Sequence, residues 1–284
     1  MSDYFLQIVQ RLAQAGIENP RLEARLLTAY VLNLEPDEVF ADIFISAENK
    51  EKIELLLQQR LAHKPLDKVI GKRAFYKAEF AVSEQVLSPR PDTEILVEEA
   101  LEYLRHIQSP KVLDLGTGSG CIIETLLAEI PEAEGTAVDI SAEALKVARL
   151  NAQNLNVAQR LNFIRADWFA ADFINLFNDK FDVIVSNPPY IPTAQIAELD
   201  TEVKEYDPMY ALDGGTSGFD SYKRIAEIAP MLLKDGGYIL LEAGINQAAE
   251  IQNIFTFSGL QYVKTVKDLA GIDRCVIMQK QLHK

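Results

Sequence analysis

The chain has 284 residues, of which 48% are hydrophobic, and its formal net charge at pH 7 is −14. This length and composition predict a globular protein with one large domain and one small one. No run of about 18 apolar residues occurs, so no membrane-spanning helix is expected. The acidic charge disfavours nucleic acid as the main partner. The N-terminal residues lack the basic start of a secretory leader and the pattern of a transit peptide, which favours a cytoplasmic location.

The first 70 residues carry helix-period patterns and few strand signals. Apolar residues recur at helical spacing over 4–12, 22–31 and 53–61. Asn19 and Pro20 supply a cap and a first-turn proline for the second of these helices. The pattern therefore predicts a small helical bundle over residues 1–70, whose role we expect to be recognition of a partner.

Beyond residue 70 the pattern changes. A short hairpin linker is expected over 71–88, followed by a large domain over 89–284. Strands are predicted at 111–115, 135–139, 161–165, 181–186, 237–242, 261–267 and 274–279, and helices at 93–107, 120–130, 142–154, 219–233 and 246–257. Regular alternation predicts an α/β fold with a doubly wound, mostly parallel sheet of seven strands and helices on both faces. The last two strands have no helix between them, so one of them should run antiparallel.

The most informative motif follows the apolar run 181–186, which predicts a buried strand. It consists of Asn187, Pro188, Pro189 and Tyr190. Each proline lacks an N–H, so its carbonyl is an acceptor with no donor beside it. A proline also favours extended geometry in the preceding residue, which directs the asparagine amide away from the strand. Acceptors beside an aromatic plane suit a planar –CO–NH₂ group or a ring –NH₂ group.

A glycine-rich turn follows the predicted strand 111–115, with the sequence Gly116-Thr117-Gly118-Ser119-Gly120. Glycines permit positive φ and a close approach of the backbone to a ligand. The spacing is G-x-G-x-G, and it differs from the G-x-G-x-x-G of dinucleotide folds because residue 121 is Cys. The turn therefore favours an amino-acid-bearing nucleoside over a pyrophosphate.

Two more polar positions follow the next strands. Asp139 ends the predicted strand 135–139, where a carboxylate can accept hydrogen bonds from both hydroxyls of a ribose. Asp167 and Trp168 follow the strand 161–165, where an acid can meet an exocyclic amine and an indole can pack on a base. Tight packing, a helix cap or a core position could explain each feature separately. Their occurrence at the ends of three successive strands favours a ligand site.

These elements resemble the S-adenosyl-L-methionine site of class I methyltransferases. The motif at 187–190 is similar to the N-P-P-Y signature shared by methyltransferases that act on amide nitrogen and on adenine nitrogen. A P-R-P-x-T-E block at 89–94, the connector 69–73 and the helical N-terminal region together resemble the release factor glutamine methyltransferase family. The resemblance covers essentially the whole chain.

The resemblance implies an S-adenosyl-L-methionine-dependent protein-(glutamine-N5) methyltransferase. Its substrate would be the glutamine of the Gly-Gly-Gln motif in class-1 peptide chain release factors. The expected cofactor-binding residues are Gly116, Thr117, Gly118, Ser119, Gly120, Asp139, Trp168 and Asn187. The expected catalytic residues are Asn187, Pro188 and Tyr190, and Pro189 joins these three in binding the substrate. No metal, membrane or direct nucleic-acid partner is expected, and Cys121 and Cys275 are isolated.

The amide nitrogen of glutamine is a poor nucleophile because its lone pair is delocalised. The Asn187 side-chain oxygen and the Pro188 carbonyl would accept its N–H groups and so direct the nitrogen toward the methyl group. Orientation of this kind can lower the activation barrier by roughly 7–11 kcal/mol at best. Tyr190 would stack beside the glutamine.

An adenine N6-methyltransferase acting on nucleic acid is the alternative, since the same pocket can hold a flipped base. The acidic charge, the absence of a separate basic domain and the P-R-P-x-T-E block oppose it. A non-catalytic binding module is a third hypothesis, which intact Asp114, Gly116, Asp139 and Asn187 oppose.

Overall fold

The computed structural model describes residues 3–40 and 43–282, which divide into two compact units. The N-terminal unit holds the described residues up to Lys72 together with Asp200–Tyr206. The C-terminal unit holds Arg73–Leu199 and the described residues from Asp207 onward. None of the described helices is long and apolar enough to cross a membrane.

The helices and strands of the described residues follow one another in this way. The α-helices are α1 Asp3–Gln14, α2 Pro20–Leu32, α3 Ala47–Leu61, α4 Leu66–Ile70, α5 Glu94–Leu104, α6 Cys121–Glu129, α7 Ala142–Asn154, α8 Thr201–Lys204, α9 Met209–Leu212, α10 Asp220–Leu232 and α11 Ala248–Phe257. The strands are β1 Lys72–Phe75, β2 Ala78–Ala81, β3 Lys111–Leu115, β4 Glu134–Asp139, β5 Leu161–Arg165, β6 Phe181–Ser186, β7 Leu233–Glu242, β8 Gln261–Lys267 and β9 Asp273–Gln279. Short 3₁₀ segments lie at Pro36–Glu38, Pro91–Thr93, Ala158–Arg160, Phe173–Leu176 and Thr193–Glu198.

The N-terminal unit is a helical bundle with its own apolar core. Phe5, Leu12, Leu27 and Leu57 are among its fully or almost fully buried side chains. The Ser46 hydroxyl caps α3 by accepting the N–H of Asn49 at 3.2 Å. The bundle form predicted for the first 70 residues is therefore confirmed.

A buried arginine explains why Asp200–Tyr206 belongs to this unit. Arg60 is 3% exposed, and it pairs with Glu23 at 2.5 Å and with Glu202 at 2.6 Å. A buried guanidinium requires such partners, because an unpaired buried charge is costly. The sequence pattern contained no signal for this segment, since its partner lies 142 residues earlier.

The C-terminal unit is built on one seven-stranded sheet. Its order is β5-β4-β3-β6-β7-β9-β8, and β9 is antiparallel to both neighbours. The mostly parallel sheet and the single antiparallel strand are as predicted. The largest difference in bounds is at β7, which begins four residues before the predicted start at 237.

Helices cover both faces of this sheet. Alternate residues of β3 enter opposite apolar clusters, with Val112 in one and Leu113 in the other. The first cluster also contains side chains of α5 and α6, and the second contains side chains of α10 and α11. Phe75 and Phe80 of the β1–β2 hairpin are buried in the first cluster, so the hairpin is packed on the large core.

Candidate cofactor and substrate site

A cavity of about 630 Å³ lies in the C-terminal unit, at the carboxyl ends of its parallel strands. Strand β3 pairs with β4 on one side and with β6 on the other, so the direction of strand order reverses there. Open α/β sheets bind ligands at such a reversal. The volume lies within the range of small-molecule sites, roughly 300–1,000 Å³.

The cavity brings together most of the site residues expected from the sequence. Those that line it are Gly116, Thr117, Gly118, Ser119, Asp139, Trp168, Asn187 and Pro189. Gly120, Pro188 and Tyr190 are not among its lining residues. Pro188 and Gly120 are buried, and the Tyr190 ring packs against the second apolar cluster. Stacking of Tyr190 on a substrate therefore stays a prediction.

The glycine turn, residues Gly116–Gly120, is held by one hydrogen bond within it and by the end of β4. The N–H groups of Gly116 and Thr117 both donate to the carbonyl of Val138, at 2.9 and 3.0 Å. All three of its glycines have positive φ, between 55° and 84°. The N–H of Gly120 donates to the carbonyl of Thr117 at 2.8 Å, and the Thr117 hydroxyl donates to Asp114 at 2.7 Å. Glycine is the residue that adopts positive φ without steric cost, so the local sequence dictates this turn.

Asp139 joins the glycine turn to the start of α7. One carboxylate oxygen accepts the N–H of Gly118 at 2.9 Å, and the other accepts the N–H of Ser141 at 2.8 Å. Ser141 is itself the N-cap of α7. Burial raises the pKa of Asp139, and these backbone donors oppose the rise. The N–H of Ile140 is a third backbone donor, so at least one of the roughly four acceptor sites of the carboxylate is left for a ligand hydroxyl.

Trp168 forms one wall of the cavity beside the glycine turn. A Cβ at Gly116 would lie 3.3 Å from two of its ring carbons. The indole Nε1 is buried and has no hydrogen-bond partner. Glycine at this position is therefore needed for the close approach of the ring as well as for its positive φ.

Two carboxyl groups are buried beneath the glycine turn. Burial raises the pKa of Asp114 to about 7, and it raises the pKa of Glu124, on α6, to about 10. The nearby Asp114 carboxyl adds to the shift of Glu124. Neither oxygen of Glu124 has a hydrogen-bond partner, and burial without a partner favours the protonated form of the side chain.

The asparagine turn, residues Asn187–Tyr190, follows β6 and is held by distant residues. The Tyr190 carbonyl accepts from Gln247 Nε2 at 2.9 Å. A Cβ at Gly214 would lie 2.8 Å from Tyr190 backbone atoms, so a side chain there has no room. The N–H of Ile191 donates to Leu212 at 3.0 Å. The segment 212–218 therefore packs against the end of the asparagine turn.

Sequence reasoning missed several lining residues. They include the segment 85–90, Thr93, the segment 209–211, the segment 213–215, Asp220 and Ser221. The P-R-P-x-T-E block at 89–94 supports the family resemblance, but its sequence alone predicts no chemical role. A glycine-rich run at 214–218 was a second available signal. Among the described residues, no group of three or more His, Cys, Asp or Glu side chains is placed to hold a metal ion.

Comparison with known proteins identifies the family. Residues 3–71 match the sequence profile of the PrmC N-terminal domain, and residues 91–202 match that of the methyltransferase small domain. A methyltransferase structure from Pyrococcus furiosus superposes with a TM-score of 0.52 at 18% identity, covering 79% of this chain and 98% of that one. This likeness confirms the fold class.

Two curated relatives are called release factor glutamine methyltransferase. The Rhodospirillum rubrum protein is 41% identical, over 95% of this chain and 82% of its own. The Caulobacter vibrioides protein is 39% identical, over 94% and 92% respectively. Identity at this level over nearly the full length confirms the resemblance, and the chain belongs to the release factor glutamine methyltransferase family.

Proposed function

We propose that this protein transfers a methyl group from S-adenosyl-L-methionine to the side-chain nitrogen (N5) of the glutamine in the Gly-Gly-Gln motif of class-1 peptide chain release factors. The observation that carries the proposal is that Asn187 and Pro189 line the same cavity as the glycine turn and Asp139. Family membership supports the substrate class, because the curated relatives carry that activity in their names.

The residues of the cavity fit the cofactor. The glycine turn permits backbone approach, Asp139 has lone pairs for ribose hydroxyls, and Trp168 offers an apolar ring. Four lining side chains are carboxyl groups (Asp139, Asp167, Asp213 and Asp220), and one, Arg90, is cationic. This excess of acid suits a ligand that carries a sulfonium and an ammonium group. When bound, S-adenosyl-L-methionine supplies an electrophilic methyl group.

The asparagine turn binds and orients the glutamine amide of the substrate. The Asn187 side-chain oxygen and the Pro188 carbonyl accept the two N–H groups of the glutamine amide, which fixes the direction of the nitrogen. The same acceptors stabilise positive charge that develops on this nitrogen during transfer. No general base is required before transfer, since the proton can leave after the new bond has formed.

The N-terminal unit recognises the release factor. Phe44 is 86% exposed and Phe40 is 66% exposed, both in the connection between α2 and α3. Exposed aromatic rings of this kind are frequent anchors in protein interfaces. The proposed boundaries are 1–70 for this recognition domain, 71–88 for the linker and 89–284 for the methyltransferase domain. A substrate from translation termination places the enzyme in the cytoplasm.

Methyl transfer to three candidate acceptors tests the proposal. Labelled S-adenosyl-L-methionine is incubated with the protein and with an unmethylated release factor, the same factor with Gln→Ala in its motif, or duplex DNA. We expect label only on the intact factor, as one methyl group on the motif glutamine by mass spectrometry. Label on DNA, or equal labelling of the Gln→Ala factor, would contradict the proposal.

The recognition role has its own test. Phe44→Ser should raise KM for the full-length release factor several-fold while leaving turnover of a short Gly-Gly-Gln peptide unchanged. Phe257→Ser is the matched control, because Phe257 is 96% exposed in the C-terminal unit. Equal KM values for both variants and the unchanged protein would remove Phe44 from the recognition surface.

A further inference from the structure

The P-R-P-x-T-E block places Thr93 against a buried acid from the far end of the chain. Thr93 is 3% exposed, and so is Glu242, the last residue of β7. The Thr93 hydroxyl donates to Glu242 Oε2 at 2.5 Å, across 149 residues of sequence. Thr93 also lines the cavity next to Asn187. This contact is separate from every role described above.

The direction of these hydrogen bonds is determined by the acid. An ionised carboxylate only accepts hydrogen bonds, so the single hydroxyl proton of Thr93 is used toward Glu242. The remaining lone pairs of Thr93 can only meet a donor. That donor is Asn187, whose Nδ2 lies 3.5 Å from Thr93 Oγ1 and which also hydrogen-bonds to Glu242.

The asparagine side chain has two nearly isosteric ends. Its nitrogen is a donor and its oxygen is an acceptor, so a reversal of the amide would present N–H groups to the substrate instead of an acceptor. Because Nδ2 is engaged by Thr93 and Glu242, the oxygen is the end that remains for a ligand.

We propose that Glu242 and Thr93 are positioning residues, which hold the Asn187 amide so that its oxygen, and not its nitrogen, meets the substrate. This inference rests on the proposed function, since that function assigns the Asn187 oxygen to a substrate N–H. It makes the site selective for substrates that present a donor –NH₂ group.

The residues around Glu242 affect its pKa, which determines the pH at which the inference should be tested. Burial raises the pKa of Glu242 to about 7, while Thr93 and Arg274 oppose the rise and Asp92 adds to it. Tyr190, Tyr222, Cys121 and Cys275 are further titratable groups near it. An assay at pH 8 lies above this pKa and therefore favours the ionised carboxylate.

Three substitutions separate orientation from folding. Thr93→Val keeps the shape of the side chain and removes the hydroxyl, Thr93→Ser keeps the hydroxyl, and Glu242→Gln replaces the acceptor with an amide that can donate. We expect Thr93→Val and Glu242→Gln to lower the single-turnover rate at pH 8 by roughly 10- to 100-fold, as misplaced catalytic groups do. The affinity for S-adenosyl-L-methionine should stay unchanged within about twofold, and Thr93→Ser should remain close to the unchanged protein.

An activity-independent readout accompanies the kinetics. The side-chain amide of Asn187 is observed by ¹⁵N NMR and assigned by its disappearance in Asn187→Ala. Its protons should be protected from exchange in the unchanged protein and in Thr93→Ser, and exposed in Thr93→Val. Equal protection in all three proteins would overturn the inference, whether or not the unchanged protein methylates release factors. A lack of release factor methylation by the unchanged protein would instead contradict the proposed function. Normal turnover by Thr93→Val would also overturn it.

Discussion

The two turns that meet at the cavity are held by different parts of the fold. The glycine turn follows β3 and the asparagine turn follows β6, and these strands are paired neighbours. The glycine turn has one backbone hydrogen bond within it, an anchor three residues away at Asp114, and two backbone hydrogen bonds to Val138 at the end of the adjacent strand β4. The asparagine turn depends on Gln247, 57 residues away, and on Thr93, 94 residues away.

This difference predicts which substitutions should affect which function. A turn determined by its own glycines and by the end of the adjacent strand is sensitive to changes within it and at Asp139, whose side chain accepts one of its N–H groups. A turn held by side chains far away in the sequence is also sensitive to changes at those residues. Variants of the asparagine turn should therefore lower turnover, whereas variants at Asp139 should lower affinity for the cofactor.

The largest effect is expected at Asn187. Asn187→Ala removes an acceptor whose contact tightens as charge develops, and loss of one such contact costs on the order of 100- to 1,000-fold in kcat. S-adenosyl-L-methionine affinity, measured by calorimetry, should change little. Asn187→Asp is the control, because it keeps an acceptor oxygen and should retain more activity than Ala. Near-normal turnover by folded Asn187→Ala would show that the proposed amide contact is wrong.

The next effect concerns the other turn. Asp139→Ala should weaken S-adenosyl-L-methionine binding by about 1.5–3 kcal/mol, the usual value of a hydrogen bond to a charged group. Because Asp139 also accepts the N–H groups of Gly118 and Ser141, Asp139→Asn is the better-matched variant, and its loss should be smaller. The rate of the bound complex should fall less than the affinity in both variants. Unchanged affinity in calorimetry would contradict the assignment.

The contact between the segment 212–218 and the asparagine turn can be tested with two glycines of similar backbone conformation. Gly218 has φ +79° and Gly259 has φ +90°, so alanine carries a similar cost of about 1–2 kcal/mol at either position. A Cβ at Gly218 would lie 2.5 Å from the Tyr190 carbonyl oxygen, whereas nothing lies within 4 Å at Gly259. Gly218→Ala should therefore lower turnover by about tenfold. Gly259→Ala should lower only the thermal midpoint. Equal turnover rates for the two variants would argue against a role of this contact in catalysis.

The smallest effect concerns stability beneath the glycine turn. Glu124 has a pKa of about 10 in the folded protein, above its ordinary value of 4.5, mainly because it is buried. Between these values the folded state keeps a proton that the unfolded state releases, so this group's contribution to stability decreases as pH rises. Glu124→Gln replaces the titrating carboxyl group with a neutral amide. It should raise the thermal midpoint by a few degrees at pH 8, and by less at pH 6. A difference in midpoint that does not grow with pH would contradict this account of Glu124.

Much of the fold was determined by local patterns. The strands β3 and β6 have their predicted bounds, because buried parallel strands are continuous apolar runs. The edge strands β5 and β8 also have their predicted bounds, although most of their side chains are not buried. The glycine turn, the place of Asp139 and the antiparallel strand also followed from the local sequence, since backbone conformation and strand connection are properties of adjacent residues.

Only the tertiary structure decided what holds the asparagine turn. It paired Thr93 with Glu242, brought 212–218 onto Ile191, and placed Asp200–Tyr206 with Arg60 in the N-terminal unit. It also placed the Tyr190 ring on the apolar cluster, away from the cavity lining. Hydrogen bonds and steric contacts between residues far apart in the chain leave no period in the sequence. Such hydrogen bonds form because most buried polar groups are stable only with a partner, and the completed fold determines which residues are within reach.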